Sequence, residues 1–550
     1  MLYHWYELGQ ATMAPMRATA MAGGLALTHP FNPLAQFGFG RQAAATLDLF
    51  ERATRAYGKP AFNITETRVD GAPVRVRERI VSRRAFVDLV AFDRDIDTAR
   101  ADRDPNILIV APLSGHHATL VAGAVEALLP AHNVFVTDWR NARDVPASDG
   151  AFGLDDYIDD VRAMIEHFQG DAHVFAVCQP GVAVLAAVAL LEMDASPAVP
   201  KSVILAGSPI DTRINPTFVN AFAEARPIAW YRDNVISEVP RPYAGAGRLV
   251  YPGFLQLTGF VGMNLERHLE AHRQLLGHLI EGNDDGIARH HSFYDNYLAV
   301  MDLPAAFYLD TIERVFLAHE LPKGCFTHRG RRIDLARIRR CGLMTIEGEK
   351  DDITGVGQCR AAQALCPNVA GTRAQTVVPG VGHFGIFSGS RFRALVAPEI
   401  ARFVRSNDPA HEEATDFSSY NRDAALSAAR GESLTIDPTR YDPVADNDAA
   451  PDPIAARLER AGVGLLGDPR HRAQPGDVDF FTQGMKLWQF AVELTVDSWF
   501  GFAEARRLSR STSPSSRSHT TVEKPPQIGG PDTNDAMRQR RVRSQQQQAN

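Results

Sequence analysis

The chain lacks any run of about 18 uninterrupted apolar residues, the length a helix needs to cross a bilayer, so the sequence predicts no transmembrane helix. Its opening stretch, Met1 to Leu27, has no basic cluster ahead of an apolar core, which is not the pattern of a secretory signal; a protein kept inside the cell is expected. Cysteine is scarce. Cys178, Cys325, Cys341, Cys359 and Cys366 are odd in number, irregularly spaced and without a Cys-x-x-Cys pair. That disfavours a disulfide framework or a zinc site and favours a reducing compartment. Excess positive charge is also missing: a formal net charge of −7 supplies no general electrostatic attraction to nucleic acid or an anionic membrane. What the chain does have is length. Its 550 residues, 45% apolar and 22% charged, have ordinary globular composition but exceed what one compact core accommodates.

The first 60 or so residues read as helical, with apolar and aromatic positions at Leu2, Trp5, Tyr6, Leu8, Phe37, Leu47, Leu49 and Phe50. Alternation at Val74 to Val81 and Ala85 to Phe92 reads as two strands, an antiparallel approach to a larger sheet. Short apolar runs follow at Ile107–Pro112, Val134–Thr137, His173–Val177, Val203–Ala206, Leu343–Ile346 and Thr376–Val378, as strands buried on both faces require. Helical stretches separate several of them, at Leu154 to Phe168, Val182 to Met193 and Gln358 to Leu365, so an α/β fold with an open, mostly parallel sheet is expected. The alternation breaks between about 211 and 340, where aromatic, helix-forming segments such as Gly253 to Met263 and Tyr297 to Leu309 read as an inserted helical cap. After Ser406 the composition shifts to Ala, Asp, Pro and Arg, which reads as a linker. An aromatic stretch, Met485 to Phe502, and a polar tail follow.

The sharpest local signal is His173 to Ala183, HVFAVCQPGVA: a buried strand runs into Cys178, turns at once and gives way to a helix. That is a nucleophile elbow, with Ala176 and Pro180 in the positions that flank the nucleophile in G-x-S-x-G. Proline suits the first turn of a helix, where its missing N–H would be unpaired, and Gly181 keeps the turn uncrowded. A buried, inert cysteine at a strand end is the bland alternative. A nucleophile needs a base and the base an orienting acid. Downstream, Leu343 to Ile353 is a strand ending in two adjacent carboxylates, of which Asp351 is the expected acid and Asp352 the alternative; Thr376 to Phe384 leads through glycines to His383, the expected base. Ile107 to His117 is a strand followed by a small-residue loop, whose Leu113 or Ser114 N–H, with the Gln179 N–H, would form the oxyanion hole. His116 and His117 are either structural or substrate-facing. Together these parts imply acyl transfer through a thioester without a metal or redox cofactor.

These segments resemble intracellular polyhydroxyalkanoate depolymerases, members of the α/β-hydrolase superfamily that carry cysteine at the elbow. Four further places are similar: MLYHWYEL at the N-terminus, Ala111 to Leu120, Thr137 to Pro146, and Phe293 to Leu309. The resemblance covers about residues 1–407 and implies an α/β-hydrolase fold, a triad of Cys178, Asp351 and His383, and a stored polyester of short 3-hydroxyacids as substrate. It also implies a cytoplasmic protein associated with polymer granules. Coenzyme A is the alternative acyl acceptor to water. The expected organisation is 1–105 helices and antiparallel strands, 106–407 the catalytic domain, 408–475 a linker, 476–507 an aromatic amphipathic segment, and 508–550 a disordered tail. The aromatic segment either lies on a granule surface or packs back on the core. Competing readings are a polyhydroxyalkanoate synthase, which typically has glycine on both sides of the nucleophile, a generic thiol esterase, and a non-catalytic granule coat.

Overall fold

The structure is a computed structural model and describes residues 2–408 apart from 34–36 and 264. The expectations placed on the chain beyond 408, including the aromatic segment and the tail, lie outside the described residues. Two helices come first, α1 (Leu2–Thr28) and α2 (Gly38–Thr54), packed against each other. The helical stretch is shorter than expected, because Gly58 and Pro60 interrupt the pattern soon after α2.

The strands β1 (Glu66–Val69), β2 (Ala72–Arg83) and β3 (Val87–Arg94) form an antiparallel meander, the outer face of β2 being exposed. Next come β4 (Asn106–Val110), β5 (Asn133–Trp139), β6 (His173–Val177) and β7 (Ser202–Ala206). The chain then leaves the main sheet. It makes the short strands β8 (Ser237–Glu238), β9 (Leu249–Tyr251) and β10 (Leu303–Pro304), which form a small antiparallel sheet, and a hairpin of β11 (Thr327–His328) and β12 (Arg331–Arg332). It returns as β13 (Gly342–Gly348) and β14 (Arg373–Val378). The main sheet runs β1-β2-β3-β5-β4-β6-β7-β13-β14, with β5, β4, β6, β7, β13 and β14 mutually parallel. This is the α/β-hydrolase arrangement that the sequence predicts. The segment between β7 and β13 is mainly helical, as expected. Its strands of two or three residues are too short to register as periodicity.

Strands β6, β7 and β13 are buried along their whole length. The helix Gly181–Met193 follows β6 and is apolar all round from Gly181 to Leu191, every residue of that run buried. Such a helix has no solvent face to offer and belongs inside the fold. It packs against Leu154–Glu166, whose solvent side carries Asp155, Asp156 and Asp159.

One buried carboxylate joins three parts of the chain. Asp302 Oδ2 accepts from the Tyr3 hydroxyl of α1 at 2.7 Å, and Oδ1 accepts from the Gly253 N–H at 2.8 Å. Its own N–H donates to the side chain of Asn141, just past β5, at 3.1 Å. Burial pushes the Asp302 pKa up, against the opposing pull of the Gly253 N–H, Tyr3 and Arg143. Removing this carboxylate strands two buried donors, so Asp302→Ala should cost about 2–4 kcal/mol and Tyr3→Phe about 1 kcal/mol. Urea unfolding of the two variants checks this; a change below about 0.5 kcal/mol for Asp302→Ala, the range of an unremarkable surface substitution, would remove the residue from this role.

Candidate active site

Cys178 ends β6. Its backbone lies in the left-handed region, φ 68°, a conformation that costs a non-glycine residue on the order of 1–2 kcal/mol. The surroundings over-determine it. The Cys178 N–H donates to Ala206 O of β7 at 2.7 Å, which holds the residue in the sheet, while Pro180 caps the following helix with its carbonyl accepting from Val184 N–H at 2.8 Å. Gly181 is required by close approach: a Cβ there would lie 2.3 Å from Ser208 Oγ. The turn is therefore pinned from the next strand's exit, and the Cys178 side chain is left half-buried at the C-terminal edge of the parallel strands.

The other four cysteines are placed differently. Cys341, Cys359 and Cys366 are buried, and burial pushes their thiols up, Cys366 to about 12, so they stay protonated. Cys325 is exposed. The thiol that shares its surroundings with a histidine and a carboxylate is Cys178.

His383 follows β14, in the turn Val381 to Ile386, and is buried. Its Nδ1 donates to Asp351 Oδ2 at 2.7 Å; since an ionised carboxylate only accepts, the proton sits on Nδ1 and the other ring nitrogen is left for the thiol. The charge of Cys178 acts on the ring. Asp351 comes from the loop after β13. Its second oxygen accepts from the N–H groups of Ile353 at 2.9 Å and Thr354 at 2.8 Å, which fixes the carboxylate's orientation. Asp352, the alternative acid, points outward and is exposed. Glu347, in β13, organises the same loop by accepting from the N–H groups of Gly357, Cys359 and Arg360, each at 2.9 Å. Gly207, just past β7, makes room for the histidine: its φ is +56° and a Cβ there would lie 3.0 Å from the His383 ring.

Burial disfavours a charged His383, but the neighbouring charges of Cys178 and Asp351 and the hydrogen bond to Asp351 outweigh it, and the ring's pKa is held well above its ordinary value of 6.5. The site thus favours the charged form of the His383 ring beside the Asp351 carboxylate.

The loop after β4 approaches from the other side. Leu113, rather than Ser114, makes the contact: its N–H donates to Gln179 Oε1 at 3.2 Å. The loop is anchored by Trp139, whose indole N–H donates to Ala111 O at 2.8 Å. His116 ties the loop to the cap. It is buried, bonds Tyr297 O through Nε2 at 3.0 Å and stacks on Phe260, and burial lowers its pKa to about 4. His117 is also buried, its pKa lowered to about 3 by burial first and by Lys59, His116 and Arg143 after it. Both are held neutral in the frame of the loop. Phe384, beside His383, meets Tyr297 of the cap helix Asp284–Tyr297, which covers this end of the site.

The structure therefore brings Cys178, His383, Asp351, Gln179 and Leu113 together. What the residues alone did not reveal is Tyr157, whose hydroxyl donates to Gln179 Oε1 at 3.2 Å. It sits in a helix that carries no motif, and nothing in its spacing points to the elbow.

Residues 207–408 match the family described as PHB de-polymerase C-terminus; the match begins at the glycine beside His383 and takes in the cap, Asp351 and His383. No curated protein matches the chain. Solved structures similar in fold include a thermophilic esterase from Thermogutta terrifontis, at 14% identity over 62% of this chain and 97% of that one with a TM-score of 0.32. A monoacylglycerol lipase from Paleococcus ferrophilus shares 14% identity over 55% of this chain and 96% of that one, TM-score 0.33. The thioesterase domain from the curacin biosynthetic pathway shares 8% over 60% and 99%, TM-score 0.33. The matched domain and the α/β-hydrolase fold support ester hydrolysis.

The electrostatics give a direct expectation. Followed by NMR, the His383 ring should stay protonated through neutral pH and titrate above the ordinary imidazole range. Asp351→Asn and Cys178→Ala should each move that titration to lower pH, since each removes a negative neighbour. Because the folded pKa is raised, the pair's contribution to stability is complete below about 6.5 and is lost as pH rises through the folded value. A His383 ring that titrates below 6.5 in the wild type would contradict this account.

Proposed function

We propose that this chain, which over residues 207–408 matches the family described as PHB de-polymerase C-terminus, is an intracellular depolymerase that cleaves stored poly(3-hydroxybutyrate)-type polyester with Cys178 as nucleophile. The observation that carries the reading is the left-handed turn at Cys178, which sets a thiol against the His383–Asp351 pair. The domain match supports the polymer as substrate. α1 and the turn after it support a substrate met as an apolar surface: Trp5, Leu8, Met16, Leu25 and Phe31 are exposed there, and Glu7 and Arg17 are the only Asp, Glu, Lys or Arg in α1.

The chemistry follows from the arrangement. The Cys178 thiolate attacks the ester carbonyl carbon, and the carbonyl's π pair moves onto oxygen, where the Leu113 and Gln179 N–H groups receive it. Collapse of this tetrahedral species breaks the bond to the 3-oxygen of the neighbouring unit. The His383 imidazolium gives that oxygen its proton, leaving an acyl-thioester on Cys178 and a polymer end with a free hydroxyl. In the second half His383, now neutral, takes a proton from water as the water attacks the thioester. The acid is released and the thiolate–imidazolium pair restored. Asp351 keeps the proton on Nδ1 and stabilises the charged ring throughout, as the acid of a Ser-His-Asp triad does. Coenzyme A can take the place of water as acceptor; release would then yield an acyl-CoA.

Release of 3-hydroxybutyrate from native amorphous granules tests the reading, with wild type and Cys178→Ala compared with and without coenzyme A. Wild type should release hydroxyacid and Cys178→Ala should lose activity by on the order of 10⁴-fold or more. Equal release by both proteins would exclude Cys178 as nucleophile. Consumption of hydroxyacyl-CoA into polymer would make the protein a synthase, and no activity in either direction would leave a granule coat. A requirement for coenzyme A would make the cleavage thiolytic.

A further inference from the structure

Gln179 contributes more than its backbone. Its half-buried side chain folds back over the elbow so that Oε1 accepts two hydrogen bonds, from the Leu113 N–H at 3.2 Å and the Tyr157 hydroxyl at 3.2 Å. A carbonyl oxygen one residue from the nucleophile thus already occupies a pair of convergent donors. One of these is the N–H that an ester's oxyanion would need. The second donor is rigidly held. Tyr157 is fully buried, its ring packed against Trp139 with centroids 4.5 Å apart and against Phe307 at 4.8 Å. Burial, with the Cys178 charge added, pushes its hydroxyl well above the ordinary tyrosine range, so it remains a protonated donor at any pH at which the protein works.

A preorganised donor that needs no rearrangement at the moment of reaction stabilises developing charge best. We propose that the Gln179 side-chain carbonyl is a resident stand-in for the substrate's carbonyl oxygen, and that Tyr157 is a catalytic residue whose hydroxyl, with the Leu113 N–H, binds the oxyanion once the ester displaces it. The inference rests on Cys178 being the nucleophile. On substrate entry the Gln179 amide swings toward solvent. As the C–S bond forms, the carbonyl π pair becomes a lone pair on oxygen, and both hydrogen bonds pass from Gln179 Oε1 to that oxygen. On collapse the pair returns to re-form the carbonyl and the alkoxide leaves with the His383 proton. Tyr157 donates a hydrogen bond throughout and gives up no proton. Its effect is therefore confined to steps in which the oxygen carries charge.

The test uses the full-length protein and a soluble ester, p-nitrophenyl butyrate, with Tyr157→Phe, Gln179→Ala, the double variant and Cys178→Ala. Tyr157→Phe keeps the buried ring and should lower kcat by about 10- to 1000-fold with little change in KM, the range seen when one oxyanion donor is lost. Gln179→Ala removes the resident carbonyl while keeping the backbone N–H, and should lower KM. The double variant decides the role. If Tyr157 binds the oxyanion, its removal costs the same factor in the Gln179→Ala background; if it only positions Gln179, the cost disappears there and the proposal fails.

Alkylation of Cys178 by iodoacetamide, mapped by mass spectrometry, supplies the control, because it consumes the thiolate without forming an oxyanion. Tyr157→Phe should alkylate at the wild-type rate. Alkylation slowed in proportion to ester hydrolysis would mean a disturbed site, and would overturn the proposal. Full ester activity in Tyr157→Phe with an inactive Cys178→Ala would remove the tyrosine alone. Full activity in Cys178→Ala would remove the nucleophile and the inference with it.

Discussion

The backbone of Cys178 is the constraint on which the rest of the site depends. A side chain can stand above the edge of a parallel sheet, with a helix N-terminus directly behind it, only if the chain reverses within a single residue. At a non-glycine position that reversal is unfavourable. The fold holds it by tying both sides down: the Cys178 N–H to β7, and the helix start to Ser208 through the bare Cα of Gly181. The all-buried helix Gly181–Met193 anchors the turn in the core, so relaxing the turn would mean moving that helix.

The partners of the turn share its logic. Asp351 and His383 leave β13 and β14 at the same sheet edge at which Cys178 leaves β6, and parallel strands deliver all their C-terminal ends to one side. Each loop is then held by a local device. Glu347 gathers three N–H groups for the loop of Asp351, Gly207 clears space for the histidine, and Trp139 holds the loop of Leu113. Such support matters because positioning within a fraction of an ångström decides whether the groups act together.

Among the contacts that tie the cap to this framework are two buried polar ones. Asp302 joins it to α1 and to the turn after β5, and His116 joins the loop of Leu113 to Tyr297. Both ties are buried and polar, so they hold only while every partner is in place. Tyr297 in turn contacts Phe384 beside His383, which puts the cap's packing and the site's geometry in one continuous set of contacts.

The sequence by itself determined the sheet's parallel part, because strands buried on both faces leave apolar runs that local reading detects: β6 is found residue for residue at His173–Val177. It also singled out Cys178, Asp351 and His383, since an elbow and two strand-end turns are local patterns in a set chain order. Tertiary structure decided what depends on distant segments meeting. The choice of Asp351 over Asp352 is one case: the two are adjacent in the chain, and only the approach of His383 separates the inward carboxylate from the outward one. The contact of the Leu113 N–H with the Gln179 side chain is another, made between residues far apart in the chain. Tyr157 and Asp302 left no trace in the sequence, because a tyrosine in an amphipathic helix and an aspartate in an apolar stretch acquire meaning only from partners 22 and 299 residues away. Local pattern is written by secondary structure and burial; the pairing of donors with acceptors across the fold is written by packing.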